Sequence, residues 1–456
     1  MAYNFKPCDR EQLFLLPPSL KEWLPEDHLA WFILDTVSMM DLTKLYQNYR
    51  ADGWGNAAYE PGMMVALLIY SYCMGERSSR KMERLCKVDI AYRILAANQL
   101  PDHTTIARFR RNNLKTLEVI FIEILKLCNK AGLVKLGVTA LDGTKIQGNT
   151  SLSSNKKHER IAREVEKMLE EAEKTDAEED RLYGKSKNGD SLPPNLRHRE
   201  ERLKRLRRCK EELEKEAQAR EDASKEKQAA RDEKEKTTGK KAKGKAAKPV
   251  TAEEEKQTMK RNITDPDSKP MKNFRGFVQG YNGQAVATEE QIIIIASELT
   301  NECNDQKQVE SMIKAIEKTL HEANIEEKCE TLLMDAGYCS ETNLALEEKK
   351  KIEFIVATKQ DAKQRKELGL ENEMGPFPEP KNLKEKMARK LKTERGGKLY
   401  KKRGGIIEPV FGQIKTCLGF TRFSMRGLEA CKAEWKFICS IHNVMKLFRK
   451  QGLQPA

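Results

Sequence analysis

The 456 residues are enough to bury a sizeable core and are compatible with roughly two to four structural units. Their 84 Lys and Arg against 70 Asp and Glu give a net charge of +14 and a pI of about 9.1, an excess that suits a polyanionic partner or simply a solvated basic surface. The 11 scattered cysteines contain no C-x-x-C pair, which argues against a disulfide framework or a zinc ribbon. The opening MAYNFKPCDREQ lacks the basic-then-apolar layout of a signal peptide, and the apolar stretch Met63 to Met74 is too short to span a bilayer, so the expected home is the cytoplasm, with no membrane partner.

From Leu13 to about Val134 the spacing predicts helices joined by short polar turns, with Pro61 opening a segment whose Met64, Leu67, Leu68 and Cys73 recur at roughly helical intervals. Within it, Leu100 to Asn113 predicts a threonine-capped helix carrying Arg108, Arg110 and Arg111 near its start, a helix suited to a DNA major groove. Lys135 to Asp142 is a short apolar run ending on a carboxylate and predicts a strand. Residues 155 to about 260 are then dominated by Glu, Lys, Arg and Ala. There Leu196, Leu203, Leu206 and Leu213 follow a heptad-like seam, a Gly, Asn and Pro-rich turn from Tyr183 to Pro194 predicts a helical hairpin, and the basic stretch Thr237 to Pro249 predicts disorder.

Strands are predicted again at Phe277 to Thr288, Gln291 to Glu298, Thr331 to Asp335 and Lys351 to Ala357, with a helix over Lys307 to Ala323. Gly405 to Lys415 and Ala430 to Phe448 predict closing helices packed by Val410, Phe411, Ile414, Trp435, Phe437 and Ile441. The expected organisation is a helical unit over 1–134, an α/β unit over 135–154 and 262–450, and a charged helical hairpin insertion over 155–261.

Asp142 and Asp335 each end an apolar run whose burial would normally exclude a charge. Two parallel neighbouring strands would bring these carboxylates together, as Mg²⁺ coordination requires. Glu408, among apolar neighbours on a predicted helix, is the candidate third carboxylate for a two-metal site, and Arg403 and Lys415 are candidates to grip phosphates.

Four stretches resemble the DDE transposases of bacterial insertion sequences, in the group with an InsH-like N-terminal domain. They are Pro101-Asp-His-Thr-Thr-Ile-Ala-Arg-Phe-Arg110, Leu141-Asp-Gly-Thr-Lys-Ile-Gln-Gly-Asn149, Thr264 to Lys272 with Gly280-Tyr-Asn-Gly-Gln-Ala285, and Tyr400 to Lys415. The resemblance implies an RNase H-like catalytic fold in which Asp142, Asp335 and Glu408 hold two Mg²⁺ or Mn²⁺ ions. Tyr400, Arg403 and Lys415 match the signature around the glutamate. One spacing departs: four residues separate Arg403 from Glu408 where the usual form has three. The implied partners are the terminal inverted repeats and target DNA, cut and joined by a homodimer on paired ends. The rivals are a catalytically inactive DNA-binding regulator or relic, and a nuclease without strand transfer.

Simpler expectations attach to other residues. Asp265 and Asp267 suit a turn with capping side chains, and Cys339 suits packing because no base lies near it in sequence. His103 suits capping or packing, Trp54 a loop or core anchor, and the heptad leucines an interhelical seam.

Overall fold

The computed structural model describes residues 19, 22–49, 57–183, 194–238, 251–273, 276–359, 380 and 382–451. The turn expected from Tyr183 to Pro194, Trp54, and most of the basic stretch Thr237 to Pro249 lie outside the described residues.

The N-terminal region consists of α1 (Leu29–Ser38), α2 (Thr43–Tyr46), α3 (Pro61–Cys73), α4 (Ser79–Val88), α5 (Ile90–Leu95), α6 (His103–Asn112) and α7 (Leu114–Lys130). Pro61 opens α3 where a missing N–H costs no helical bond, and the Glu60 carboxylate accepts from the amides of Gly62 and Met63. Every residue of α3 is buried, so the apolar run too short for a bilayer is a core helix. No described helix is long and apolar enough to cross a membrane.

The cap of α6 differs from expectation. Asp102, not a threonine, accepts from the Thr104 and Thr105 amides at 2.9 and 3.0 Å. The helix therefore starts at His103, and its arginines fall in the second half rather than near the start.

Next come β1 (Val138–Gln147), β2 (Asn155–Lys157), α8 (His158–Tyr183), α9 (Pro194–Thr238), α10 (Ala252–Thr258), β3 (Lys260–Asn262), β4 (Lys269–Asn273), β5 (Gly276–Thr288) and β6 (Ile294–Thr300). The chain continues with α11 (Val309–Glu322), β7 (Thr331–Met334), α12 (Glu341–Leu344), α13 (Leu346–Lys350), β8 (Glu353–Val356), α14 (Leu383–Lys392), α15 (Glu394–Gly412) and α16 (Leu428–Gln451). A π-turn, Gln413–Cys417, follows α15 directly.

One mixed sheet holds the site. β5 pairs antiparallel with β1 on one side and with β4 and β6 along the other, while β7 and β8 continue beyond β1 in parallel. This order, antiparallel then parallel, is consistent with the RNase H-like expectation. β1 does not stop at Asp142. It runs five residues further because Gly143 to Gln147 keep pairing with Gln284 to Gly280 on β5.

The leucine seam is real but local. Leu206 and Leu213 pack with Ile161, Val165, Cys209, Ala217, Ala252 and Met259 in a small core separate from the main one, with Leu203 against it. Ion pairs join α9 to the strands below: Arg261 with Glu212 and Glu216 at 2.9 and 2.7 Å, and Arg208 with Asp267 at 2.7 Å.

The main core is continuous from the N-terminal helices to the sheet, and α16 joins them by packing against α7, α3 and β6. Asn443 accepts from Ile294 N at 2.9 Å and donates to Ile294 O at 2.8 Å, covering the β6 edge. Its neighbour His442 donates from Nε2 to Ile292 O at 2.7 Å, holding the β5–β6 loop, where Ile292 takes a φ of 55°. That left-handed turn delays β6 to Ile294, two residues after the apolar run begins at Ile292.

Burial lowers the His442 pKa to about 4, from the usual 6.5. Below pH 6.5 the unfolded chain therefore takes up a proton that the folded chain refuses, and stability is lost as pH falls from 6.5 towards 4. Urea-unfolding free energies should fall by roughly 2 kcal/mol more between pH 7.5 and 5 in the wild type than in His442→Gln. Identical pH slopes in the two proteins would remove His442 as the cause.

Candidate active site

The parallel register of β1 with β7 sets Val138, Thr139 and Ala140 opposite Thr331, Leu332 and Leu333. Extended by two residues, the same register sets Asp142 opposite Asp335. Asp335 itself leaves the strand and caps a short 3₁₀ turn, accepting from Gly337 N at 2.9 Å. The two carboxylates sense each other: burial first, and then the Asp335 charge, raise the Asp142 pKa to about 6. Two groups oppose that shift. Arg403 Nη1 lies 3.0 Å from Asp142 Oδ2, and Gly143 N donates to Asp142 Oδ1 at 2.7 Å.

Arg403 comes from α15, which packs across β1, β5, β7 and β8. Its side chain is only 5% exposed, so it is placed to balance Asp142 and not to meet a phosphate from outside, as the sequence suggested. Tyr400, at 2% exposure, is likewise buried. Glu408 lies on the exposed side of α15. Lys415 lies in the π-turn rather than on a continuous helix, and its Nζ donates to Lys145 O at 3.0 Å. Burial, and then the charge of Lys145, lower its pKa.

Carboxylate oxygens are hard donors of the kind Mg²⁺ and Mn²⁺ prefer, and a cation would relieve the repulsion recorded in the raised Asp142 pKa. Asp142 and Asp335 thus fit a divalent metal chemically. Among the described residues, however, no group of three or more His, Cys, Asp or Glu side chains is arranged to hold one.

The arginines of α6 divide. Arg108 and Arg111 are exposed. Arg110 is buried and donates to Tyr72 Oη at 3.1 Å, Arg77 O at 2.9 Å and Ser79 Oγ at 2.8 Å, which removes it from any DNA-facing role. Tyr72 in turn donates to the buried carboxylate of Glu434 on α16 at 3.1 Å. His103 pairs with Glu83 at 2.7 Å, tying α6 to α4, as its packing role implied. Asp265 and Asp267 accept from Gly427 N and Leu428 N at 3.1 and 2.9 Å, so they cap α16 across space.

Sequence reasoning missed the bolt beneath Asp335. Tyr338, three residues on and 1% exposed, donates to Gln284 Oε1. Gln284 Nε2 donates to Asp305 Oδ1 at 2.8 Å, and Asn282 Nδ2 and Lys145 Nζ reach the same oxygen at 2.6 and 3.3 Å. A Cβ at Gly143 would stand 2.3 Å from Gln284 Nε2, so only glycine admits this network beside β1. Gly283 similarly lies against the Trp435 indole, 2.9 Å from where a Cβ would stand. The signal was present in the Gly280-Tyr-Asn-Gly-Gln-Ala285 motif, whose polar residues have no surface to explain them.

Burial, and then the charges of Asp305, Asp142 and Asp335, hold the Tyr338 hydroxyl protonated and well above its usual pKa. Tyr338→Phe leaves Gln284 Oε1 without that donor and should lower the urea-unfolding free energy by about 1–3 kcal/mol. A change within the error of the measurement would show that the bond adds nothing to stability.

Residues 18–112 match the family model described as Transposase domain (DUF772), and residues 247–444 match Transposase DDE domain. No curated protein and no solved structure matches. The second match contains Asp335 and Glu408, whereas Asp142 lies outside both and is joined to the site by strand pairing. With two transposase regions in one chain and two aspartates set opposite each other by neighbouring strands, the protein belongs to the DDE transposases of insertion sequences.

Proposed function

We propose that the protein binds the terminal inverted repeats of its element, cuts the DNA strand and transfers the freed 3′-hydroxyl to target DNA, acting as a homodimer on paired ends in the cytoplasm. The observation that carries this reading is the β1–β7 register, which brings Asp142 to Asp335, with Arg403 from α15 balancing the pair. Asp142, Asp335 and Glu408 would hold two Mg²⁺ or Mn²⁺ ions, which supply Lewis-acid activation of the attacking oxygen and stabilisation of the leaving oxygen. Arg403 keeps Asp142 ionised and oriented. Lys415 offers an ammonium to phosphate near the end of β1, and the exposed Arg108 and Arg111 offer contacts to the duplex backbone. Both chemical steps are in-line displacements at phosphorus and need no external energy source.

In this reading residues 1–134 form the DNA-binding region, 135–154 with 262–450 form the catalytic domain, and 155–261 are an insertion that loops out as a charged helical arm. A second reading, a DNA-binding regulator or relic, is favoured by one observation: Glu408 is exposed and no three-carboxylate group is assembled among the described residues.

A cleavage assay separates the two. With Mg²⁺ and end-bearing DNA, Asp335→Asn should reduce cutting and joining to background while duplex binding persists. Undiminished cutting by this variant would exclude the proposed site, and specific binding by a wild type that never breaks a strand would favour the regulator.

A further inference from the structure

Beyond β1 the chain is met by the loop between the π-turn and α16. Gln147 N donates to Thr421 O at 3.1 Å and Phe423 N donates to Gln147 O at 2.8 Å, so this loop runs parallel to the strand end. Asn149 then organises the contact. Its Nδ2 donates to Ser424 O at 2.8 Å, its Oδ1 accepts from Arg422 Nη2 at 3.0 Å, and its backbone oxygen accepts from Arg426 Nε at 3.0 Å. Arg77, from the segment between α3 and α4, reaches the same loop: it lies over the Phe420 ring at 5.3 Å and donates to Gly419 O at 3.3 Å and to Arg422 O. The loop is fixed from behind, since buried Glu434 accepts from the amides of Ser424 and Met425 at 3.0 and 3.1 Å.

Three guanidinium groups therefore gather on one pinned loop, and every acceptor named for them is neutral. Among the described residues none of the three has a carboxylate within ion-pair distance, whereas Arg202, Arg208, Arg220, Arg261 and Arg395 all do. Asp265 senses the charge of Arg426, but it is fully buried and already accepts from Tyr281 Oη at 2.7 Å and from Gly427 N. Arg422 and Arg426 are exposed, and a guanidinium has five N–H donors, so each keeps donors directed to the outside. Holding like charges together costs free energy unless an anion joins them. Asn149 lies two residues beyond the end of β1 and seven beyond Asp142, the position opposite which parallel β7 delivers Asp335.

We propose that Arg77, Arg422 and Arg426 form a rim that grips the phosphodiester backbone of duplex DNA beyond the end of β1. The rim rests on the transposase reading and adds a contact surface to it. Planar guanidiniums fixed by neutral partners suit phosphate oxygens, and they position the duplex without reading its sequence.

The test uses the full chain and a random-sequence duplex of roughly 30 base pairs, with dissociation constants measured by fluorescence anisotropy between about 50 and 200 mM salt. The double variant R422Q/R426Q should bind more weakly at each salt concentration, and its log–log salt slope should fall by about 2, since each lost phosphate contact removes roughly 0.9. R422Q alone should lose about 1, and R422K/R426K should recover most of the slope. Circular dichroism melts identify variants that fold, and R422Q alone tests the rim if the double variant does not. A folded glutamine variant with wild-type affinity and slope overturns the rim while leaving the transposase reading intact. A wild type that neither binds nor cuts any duplex overturns both.

Discussion

Two carboxylates held on neighbouring interior strands of one sheet repel each other, and the packing around them must offset that repulsion. Parallel pairing of β1 with β7 sets Asp142 opposite Asp335, and burial first, with the Asp335 charge adding to it, raises the Asp142 pKa. Arg403 supplies partial compensation from α15, and its burial means that it cannot leave without exposing the charge it balances. The free energy of packing α15 across four strands is what keeps this arginine in place. A divalent cation bound by the same carboxylates would complete the neutralisation, so stability and metal affinity are coupled at this site.

The N-terminal helices are not an appendage to this arrangement. Arg110 on α6, Tyr72 on α3 and Glu434 on α16 form a buried chain of hydrogen bonds, and Glu434 then fixes the loop at Ser424 and Met425. A buried carboxylate is tolerated because backbone amides, a hydroxyl and Tyr72 satisfy it together. The consequence is that the region expected to touch DNA and the loop beside β1 share one rigid core. Helices α8 and α9, by contrast, rest on their own small cluster and on ion pairs to β3 and the turn after it, which makes them energetically separable from the main core.

Much of this was legible in the sequence because strands and core helices leave periodic signals. The run ending at Asp335, the strand from Phe277, the helix from Lys307 and the core segment after Pro61 all fall close to where pattern placed them. The errors have definite causes. β1 overran Asp142 because Gly143 to Gln147 are polar or small residues whose pairing partners on β5 lie more than 130 positions away. The sequence of α6 cannot show that Arg110 is buried, because its partners Tyr72, Arg77 and Ser79 all lie outside that helix. The Tyr338–Gln284–Asp305 network was hidden for the same reason, although the polar motif on a buried strand was a warning.

The irregular spacing in α15 has a geometric consequence. Five helical steps of about 100° put Glu408 about 140° around from Arg403, whereas the usual four would leave it about 40° away. This phase agrees with Arg403 being buried on Asp142 while Glu408 is exposed. The π-turn at Gln413–Cys417 then matters, because a wider turn absorbs one residue and returns the following side chains towards their earlier phase. Lys415 reaches the carbonyl of Lys145, and Arg403 reaches Asp142 three residues before it on the same strand. Both basic groups thus reach β1 in spite of the extra residue.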